Sequence, residues 1–207
     1  MIIAVDGPTA SGKGTIAKAL AAHFGLPHLD TGLLYRAVGR QCFLDGGNPD
    51  DAAQALAATS FPDALLADPE LRSEATGGLA SQVSIHPVVR QALFDRQRRF
   101  ATQAGGAVLD GRDIGTVIAP DAEVKLFVTA SVPARAERRH REMQGQGRDA
   151  ALAGIEADLA ERDRRDATRE TAPLLQAEDA LLLDTSLLSR EEAIARAIAL
   201  VELKLAS

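Results

Sequence analysis

"VDGPTASGKGTIAKAL" (Val5–Leu20) comes within one letter of the phosphate-binding pattern G-x-x-x-x-G-K-[ST]. Gly7, Gly12 and Lys13 fall in place, but Gly14 stands where the hydroxyl residue belongs and Thr15 follows it. The flanks support the loop. "IIAVD" (Ile2–Asp6) reads as a strand, and "KGTIAKALAAHF" reads as a helix. Between them Gly7, Pro8, Thr9, Ala10, Ser11, Gly12, Lys13, Gly14 and Thr15 form the candidate phosphate-binding loop. Glycines let successive N–H groups turn inward towards phosphate oxygens, and the following helix adds the partial positive charge of its N-terminus. Lys13 is expected to reach the β- and γ-phosphates.

Working outward, "LPHLD" (Leu26–Asp30), "AVLD" (Ala107–Asp110), "VKLFVTA" (Val124–Ala130) and "ALLLD" (Ala180–Asp184) are the other strand candidates. Amphipathic stretches separate them. The alternation predicts an α/β fold: a five-stranded parallel sheet with helices on both faces. Ser189 and Glu192 predict a capping box, followed by a buried face of Ile194, Ala197, Ile198, Val201 and Leu205. Two stretches break the rhythm. Leu44–Gly78 carries turn signals and short helical pieces, and Arg139–Gly154 is a charged helix interrupted by "GQG" and then resumed, as a hinged flap would be.

The 207 residues suffice for one buried core, and the expected organisation is a single domain. Its core covers about residues 1–43, 79–138 and 170–207, with an excursion at about 44–78 and a lid at about 139–168. A composition of 46% hydrophobic and 25% charged residues is that of an ordinary globular protein. The lone Cys42 excludes an internal disulfide and suggests a reducing, cytoplasmic setting. No apolar run is long enough to span a bilayer, and "MIIAV" lacks the form of a signal peptide. A net charge of −6 argues against a general nucleic-acid binder. Of the 23 basic residues only four are lysine, so the sites of the arginines matter.

Four further segments carry chemistry. In "LDTGLLYRAV" (Leu29–Val38), Asp30 and Thr31 can cap a helix that presents Tyr35 and Arg36, the latter suited to a second phosphate. In "AVLDGRDIGTV" (Ala107–Val117), Asp110 ends a strand beside the phosphate loop, a position suited to the water shell of Mg²⁺. Thr15 and Asp110 are the candidate magnesium residues, acting through water. Arg112 is placed to span donor and acceptor phosphates. In "ERDRRDATR" (Glu161–Arg169), roughly 100° per residue brings Arg162, Arg165, Asp166 and Arg169 within an arc of about 100°, while Asp163 and Arg164 point elsewhere. Three guanidiniums so close repel one another unless an anion sits among them. In "ASQVSIHPVVRQAL" (Ala80–Leu93), Pro87 breaks the helix, and the bend permits Ser81 and Arg90 to face one pocket. His23, His28, His86 and His140 show no metal-ligand spacing and read as structural or exposed.

"DGPTASGKGT", "DTGLLYR", "ASQV…VVR", "DGRD…GTV" and "RDRRDATR", in this order, resemble the bacterial cytidylate kinases of the nucleoside monophosphate kinase group. The resemblance runs from about Ile2 into the C-terminal helix. It implies a fold of the P-loop NTPase type and phosphoryl transfer from ATP, with Mg²⁺, to CMP and also dCMP. Lys13, Arg112 and Arg169 become the catalytic candidates. Asp30, Tyr35, Arg36, Ser81, Arg90, Arg112, Asp113, Arg162, Asp166 and Arg169 become the CMP-binding candidates. Within that set Arg36 and Arg112 would hold the acceptor phosphate. Ser81, Arg90 and Asp113 would read cytosine, and Arg162 and Asp166 would contact the ribose. Arg139, Arg141 and Arg148 fall in the family's mobile lid. Many bacterial members insert three antiparallel strands before the A-S-Q-V block. Here "ATSFPDALLADPELRSEATGG" lacks that alternation, so the NMP-binding subdomain is expected to be reduced. A monomer that binds neither nucleic acid nor membrane is expected. Two alternatives stay open: a kinase for another small acceptor, such as UMP or a non-nucleotide, and a nucleotide-hydrolysing switch. Against the switch, no N-K-x-D tetrapeptide occurs.

Overall fold

The computed structural model describes residues 1–145, 147, 148 and 150–206. Five strands, β1 (Ile2–Asp6), β2 (His28–Asp30), β3 (Ala107–Gly111), β4 (Val124–Thr129) and β5 (Leu181–Asp184), form one parallel sheet in the order β2-β3-β1-β4-β5. Each expected strand is present, with ends shifted by one or two residues. The helices are α1 (Lys13–Phe24), α2 (Thr31–Leu44), α3 (Ala52–Ala57), α4 (Glu74–Val83), α5 (Pro87–Ala101), α6 (Val132–Gly145), α7 (Leu152–Thr168) and α8 (Arg190–Leu205).

β1 is apolar from Ile2 to Val5 because both of its faces are covered. Ile3 and Val5 join Val108, Leu126 and Leu183 beneath Ile16 and Leu20 of α1 and Ala197 and Val201 of α8. On the other face Ala4 and Leu109 pack on Phe94 and Ala101 of α5 and on Ile114 and Ile118. The capping box of α8 forms as expected, Glu192 N donating to Ser189 Oγ and Ser189 N to Glu192 Oε2. Leu205, expected on its buried face, is instead exposed, because the final turn has no layer beneath it.

The phosphate loop begins with a glycine that the packing demands. A Cβ on Gly7, at φ 153°, would lie 2.0 Å from the Val128 carbonyl oxygen of β4. Between α2 and α4 the chain forms α3 and three short 3₁₀ turns, with no strand among its described residues. Leu34, Val38, Phe61, Leu71 and Val83 seal this excursion against α2 and α4. At Gly39 a Cβ would stand 2.7 Å from Leu79 Cβ, so this glycine sets how closely α4 approaches α2. α6 and α7 form a hairpin whose small core of Ala136, Met143, Ile155 and Leu159 rests on Ala10 of the phosphate loop. Gln146 and Asp149, within the stretch expected to act as a flap, lie outside the described residues.

Candidate active site

At the C-terminal ends of β1, β2 and β3 the sheet opens into a cavity of about 540 Å³. This is where parallel α/β sheets hold ligands, since the strand ends and helix N-termini converge there. The phosphate loop divides it from a second cavity of about 310 Å³. Thr9, Ala10, Lys13 and Gly14 line the first, whereas Ser11, Gly12 and Thr15 line the second. Of the two candidate magnesium residues, Asp110 lines the first cavity and Thr15 the second.

All ten CMP-binding candidates line the larger cavity. Asp30 also caps α2, accepting from Leu33 N at 3.2 Å. The bend at Pro87 does bring α4 and α5 together over this cavity. Arg90 is buried, bonded to the Asp113 carboxylate, and its guanidinium lies 5.4 Å above the Tyr35 ring. Ser81 Oγ is buried nearby with no hydrogen-bond partner among the described residues. Arg169 approaches Asp113 from the opposite side at 3.9 Å and donates from Nε to Ala172 O at 2.7 Å. It is the first residue beyond α7, in extended backbone, rather than a member of the helix as the arc calculation assumed.

Arg112 occupies the centre. Its Nε donates to Asp166 Oδ2 at 2.8 Å and its Nη2 to Thr9 Oγ1 at 2.6 Å, so it bridges α7 and the phosphate loop. Burial pushes the Asp166 carboxyl up, but Arg112, Arg162 and Arg169 outweigh it and hold it below the usual range. Arg36 donates to the carbonyls of Leu71 and Ser73 at 2.7 and 2.8 Å, tying α2 to the excursion. Gly77 leaves room for this: a Cβ there would lie 2.9 Å from Arg36 Nη2 and 3.2 Å from Arg162 Nη1. The helix-face expectation for α7 holds for three of its four residues, Arg169 lying beyond the helix. Arg162, Arg165 and Asp166 face the cavity, while Asp163 pairs with Arg135 and Arg164 with Glu161.

The electrostatics are those of a site short of anions. Burial, with Arg112 nearby, pushes Lys13 down to about 8. Burial, again with Arg112, pushes Arg162 down to about 10. The Nε atoms of Arg162 and Arg165 are buried without a hydrogen-bond partner among the described residues, Glu161 standing 3.7 Å from the latter. Negatively charged oxygens would relieve both conditions at once. Among the expected lid arginines, Arg139 lines the large cavity, Arg141 the small one, and Arg148 is exposed between α6 and α7.

Three residues outside the expected set also shape the site. Asp6 accepts from Ile114 N at 2.9 Å and Gly115 N at 2.8 Å, which anchors the turn following Arg112 and Asp113. Burial pushes its carboxyl up to about 7 against the pull of those two N–H groups. Arg135 donates to Ala130 O and Thr9 O and pairs with Asp163, joining α6, α7 and the phosphate loop. His28 bonds Asp110. Nothing in their local sequence sets these three apart, because each acts on a partner far away in the chain.

Comparison with known proteins agrees with this geometry. The family model described as cytidylate kinase matches residues 3–203. A cytidylate kinase of Xanthobacter autotrophicus is 59% identical, covering 98% of this chain and 97% of its own. One of Azorhizobium caulinodans is 57% identical, covering 98% of each. Among solved structures, an uncharacterized protein from Eubacterium ventriosum superposes with a TM-score of 0.57 at 14% identity, covering 98% of each chain. The TT1252 protein of Thermus thermophilus does so with a TM-score of 0.50 at 21% identity, covering 99% of this chain and 97% of its own. These two share the fold. The loop, the arginine-lined cavity and the near full-length matches agree, and the chain belongs to the cytidylate kinase family.

Proposed function

We propose that this protein transfers the γ-phosphoryl group of ATP to CMP, and also to dCMP, giving ADP and the nucleoside diphosphate. The observation that carries the reading is the convergence of Lys13, Arg36, Arg112, Arg162 and Arg169 on one cavity whose far wall is Ser81, Arg90 and Asp113. A cationic floor beside a polar, planar-faced wall fits a nucleoside monophosphate with its phosphate turned to the loop.

The acceptor phosphate has a second pKa of about 6, so it is already a nucleophile and needs no general base. One of its oxygens attacks the γ-phosphorus while the bond from that phosphorus to the β-bridging oxygen breaks. Arg112 holds the acceptor phosphate against the loop, and Lys13 holds the donor phosphates. Both act on oxygens whose charge shifts during the transfer. Asp166 keeps Arg112 turned to the cavity and, with Arg162, meets the ribose. The small cavity, bordered by Arg138, Arg141 and Leu188, takes the base of ATP. Arg138 is held there by Thr185 Oγ1 at 3.0 Å, which bonds the Ser11 carbonyl in turn.

The described residues contain no cluster of three or more His, Cys, Asp or Glu able to hold a metal alone. That suits Mg²⁺, which keeps most of its waters and leans on phosphate oxygens. Asp110 fits the role, since its Oδ2 faces the loop, 3.6 Å from where a Gly14 Cβ would stand. Asp110 and Thr15 would hold the ion through water, and when bound it would neutralise charge on the β- and γ-phosphates. The hairpin α6–α7 serves as a lid, the 44–78 excursion as the reduced NMP-binding part, and the chain works as a monomer.

No described helix is long and apolar enough to cross a membrane. ADP formation from ATP with CMP, dCMP, UMP, AMP or shikimate as the acceptor tests the reading. CMP and dCMP should exceed the others, and a preference for UMP, AMP or shikimate would overturn it.

A further inference from the structure

His28 belongs to none of the phosphate-binding motifs, yet it touches the carboxylate assigned above to the metal's water shell. β2 and β3 run parallel, with Asp30 opposite Asp110 and His28 opposite Val108. Residues two apart on a strand share a face, so His28 and Asp110 are diagonal neighbours on one side of the sheet. Their side chains are 15% and 4% exposed, and His28 Nε2 lies 2.7 Å from Asp110 Oδ1. An ionised carboxylate only accepts, so the imidazole carries its proton on Nε2 and donates it.

The same short segment grips Asp110 a second time. Thr31 Oγ1 donates to the Asp110 backbone carbonyl at 2.8 Å. The approach is possible because residue 111 is glycine, where a Cβ would stand 2.6 Å from Thr31 Oγ1. One contact fixes the backbone of Asp110 and the other fixes its carboxylate. The two carboxylate oxygens thereby receive separate tasks: Oδ1 is engaged by His28, while Oδ2 looks towards Gly14 in the phosphate loop. The terminal torsion of an aspartate is otherwise broad, and rotation about it would exchange the two oxygens or turn both aside.

We infer that His28 is a positioning residue for Asp110, locking the carboxylate plane so that Oδ2 accepts hydrogen bonds from the water shell of nucleotide-bound Mg²⁺. This rests on the proposed role of Asp110. It inverts the familiar arrangement in which a carboxylate orients a metal-binding histidine. The physical logic is the same, since a partner that touches neither the metal nor its waters removes rotational freedom from the group that does. Gly14 belongs to the same device, because the residue there carries no side chain in front of Oδ2.

The test is calorimetric titration with ADP, which binds without turnover, in the presence of Mg²⁺ and in the presence of a chelator. The ratio of the two dissociation constants measures what the metal adds. His28→Leu fills the space without a donor, and His28→Gln returns an N–H at similar reach. His28→Leu should shrink the ratio about tenfold, the low end for losing such a partner, with the chelator value unchanged. His28→Gln should recover most of the loss. If His28→Leu keeps the wild-type ratio while Asp110→Asn lowers it, His28 has no positioning role. If metal-free and metal-bound affinities fall together, or Gln rescues nothing, the contact serves only the fold and the inference fails. An unchanged ratio in Asp110→Asn overturns the metal assignment itself. Should His28→Leu not fold, His28→Asn, whose amide is too short to reach Oδ1, supplies the same comparison.

Discussion

Lys13 offers the most quantitative test, because its charge must be partly absent before ATP arrives. Burial among arginines holds its pKa near 8 in the free protein. Donor phosphates supply the missing counter-charge, and the pKa should return towards the ordinary lysine value of about 10.5. At about pH 8.5 the free enzyme then carries about 0.25 of a proton on Lys13 and the complex almost one. Binding should therefore take up about 0.75 of a proton. At about pH 7 the uptake should drop to about 0.1, and the apparent affinity for ATP should be about fourfold tighter than at pH 8.5. The proton count is cleanest at about pH 8.5, where Asp6, near 7, is almost fully ionised and Arg162, near 10, is still charged. The assay is titration calorimetry with Mg·ATP, without acceptor, in two buffers of different ionisation enthalpy, from which the proton count follows. Lys13→Arg keeps the charge but cannot titrate in this range, so its uptake at about pH 8.5 should vanish. Wild-type uptake in that variant, or no uptake in the wild type, would refute the reasoning.

Further outcomes follow from single contacts. Arg112→Ala removes the bridge between Thr9 and Asp166, and steady-state kinetics should show turnover falling about 10²–10³-fold; near-normal turnover would remove Arg112 from the transfer step. Arg90→Ala strands Asp113, so CMP affinity should weaken about 10–100-fold while preference among bases blurs, both measurable across the acceptor panel. Asp6 has a folded pKa near 7, above its ordinary 3.8, so the stability it lends is full below about pH 4 and is lost as pH rises through 7. The change is on the order of 4 kcal/mol, and Asp6→Asn should flatten the denaturant-midpoint slope between pH 5 and 8; an equal slope in both proteins would assign it to other groups. Arg135→Met leaves Asp163 and the Thr9 carbonyl without their guanidinium, which should cost about 3 kcal/mol in urea unfolding. Hydrogen exchange of α7 should also rise in that variant, and an unchanged pattern would mean that the hairpin needs no such anchor.

Much of this molecule is legible one segment at a time. The five strands, the loop and the capped last helix depend on short-range patterns: apolar runs, glycines that permit tight turns, and a Ser–Glu pair at a helix start. The candidate residues were found the same way, since Lys13, Arg36, Arg90, Arg112 and Asp166 each sit in a recognisable local phrase. What no local phrase encodes is which groups hold those residues still. Asp6 reaches residues 114 and 115, Arg135 reaches Asp163, and His28 reaches Asp110, across separations of 28 to 109 positions. The sheet order β2-β3-β1-β4-β5 makes the first and last of these neighbours by setting β1 and β2 on either side of β3, and the packing of α6 on α7 joins Arg135 to Asp163. The altered spelling "GKGT" belongs to both levels. Sequence alone marks Gly14 as a phosphate-loop residue, and only the packed structure puts it opposite Asp110 Oδ2, 3.6 Å from where a Cβ would stand. Chemistry-bearing residue types follow from local composition and backbone geometry. Their aim follows from contacts between distant segments, which exist only once the sheet has closed the distances.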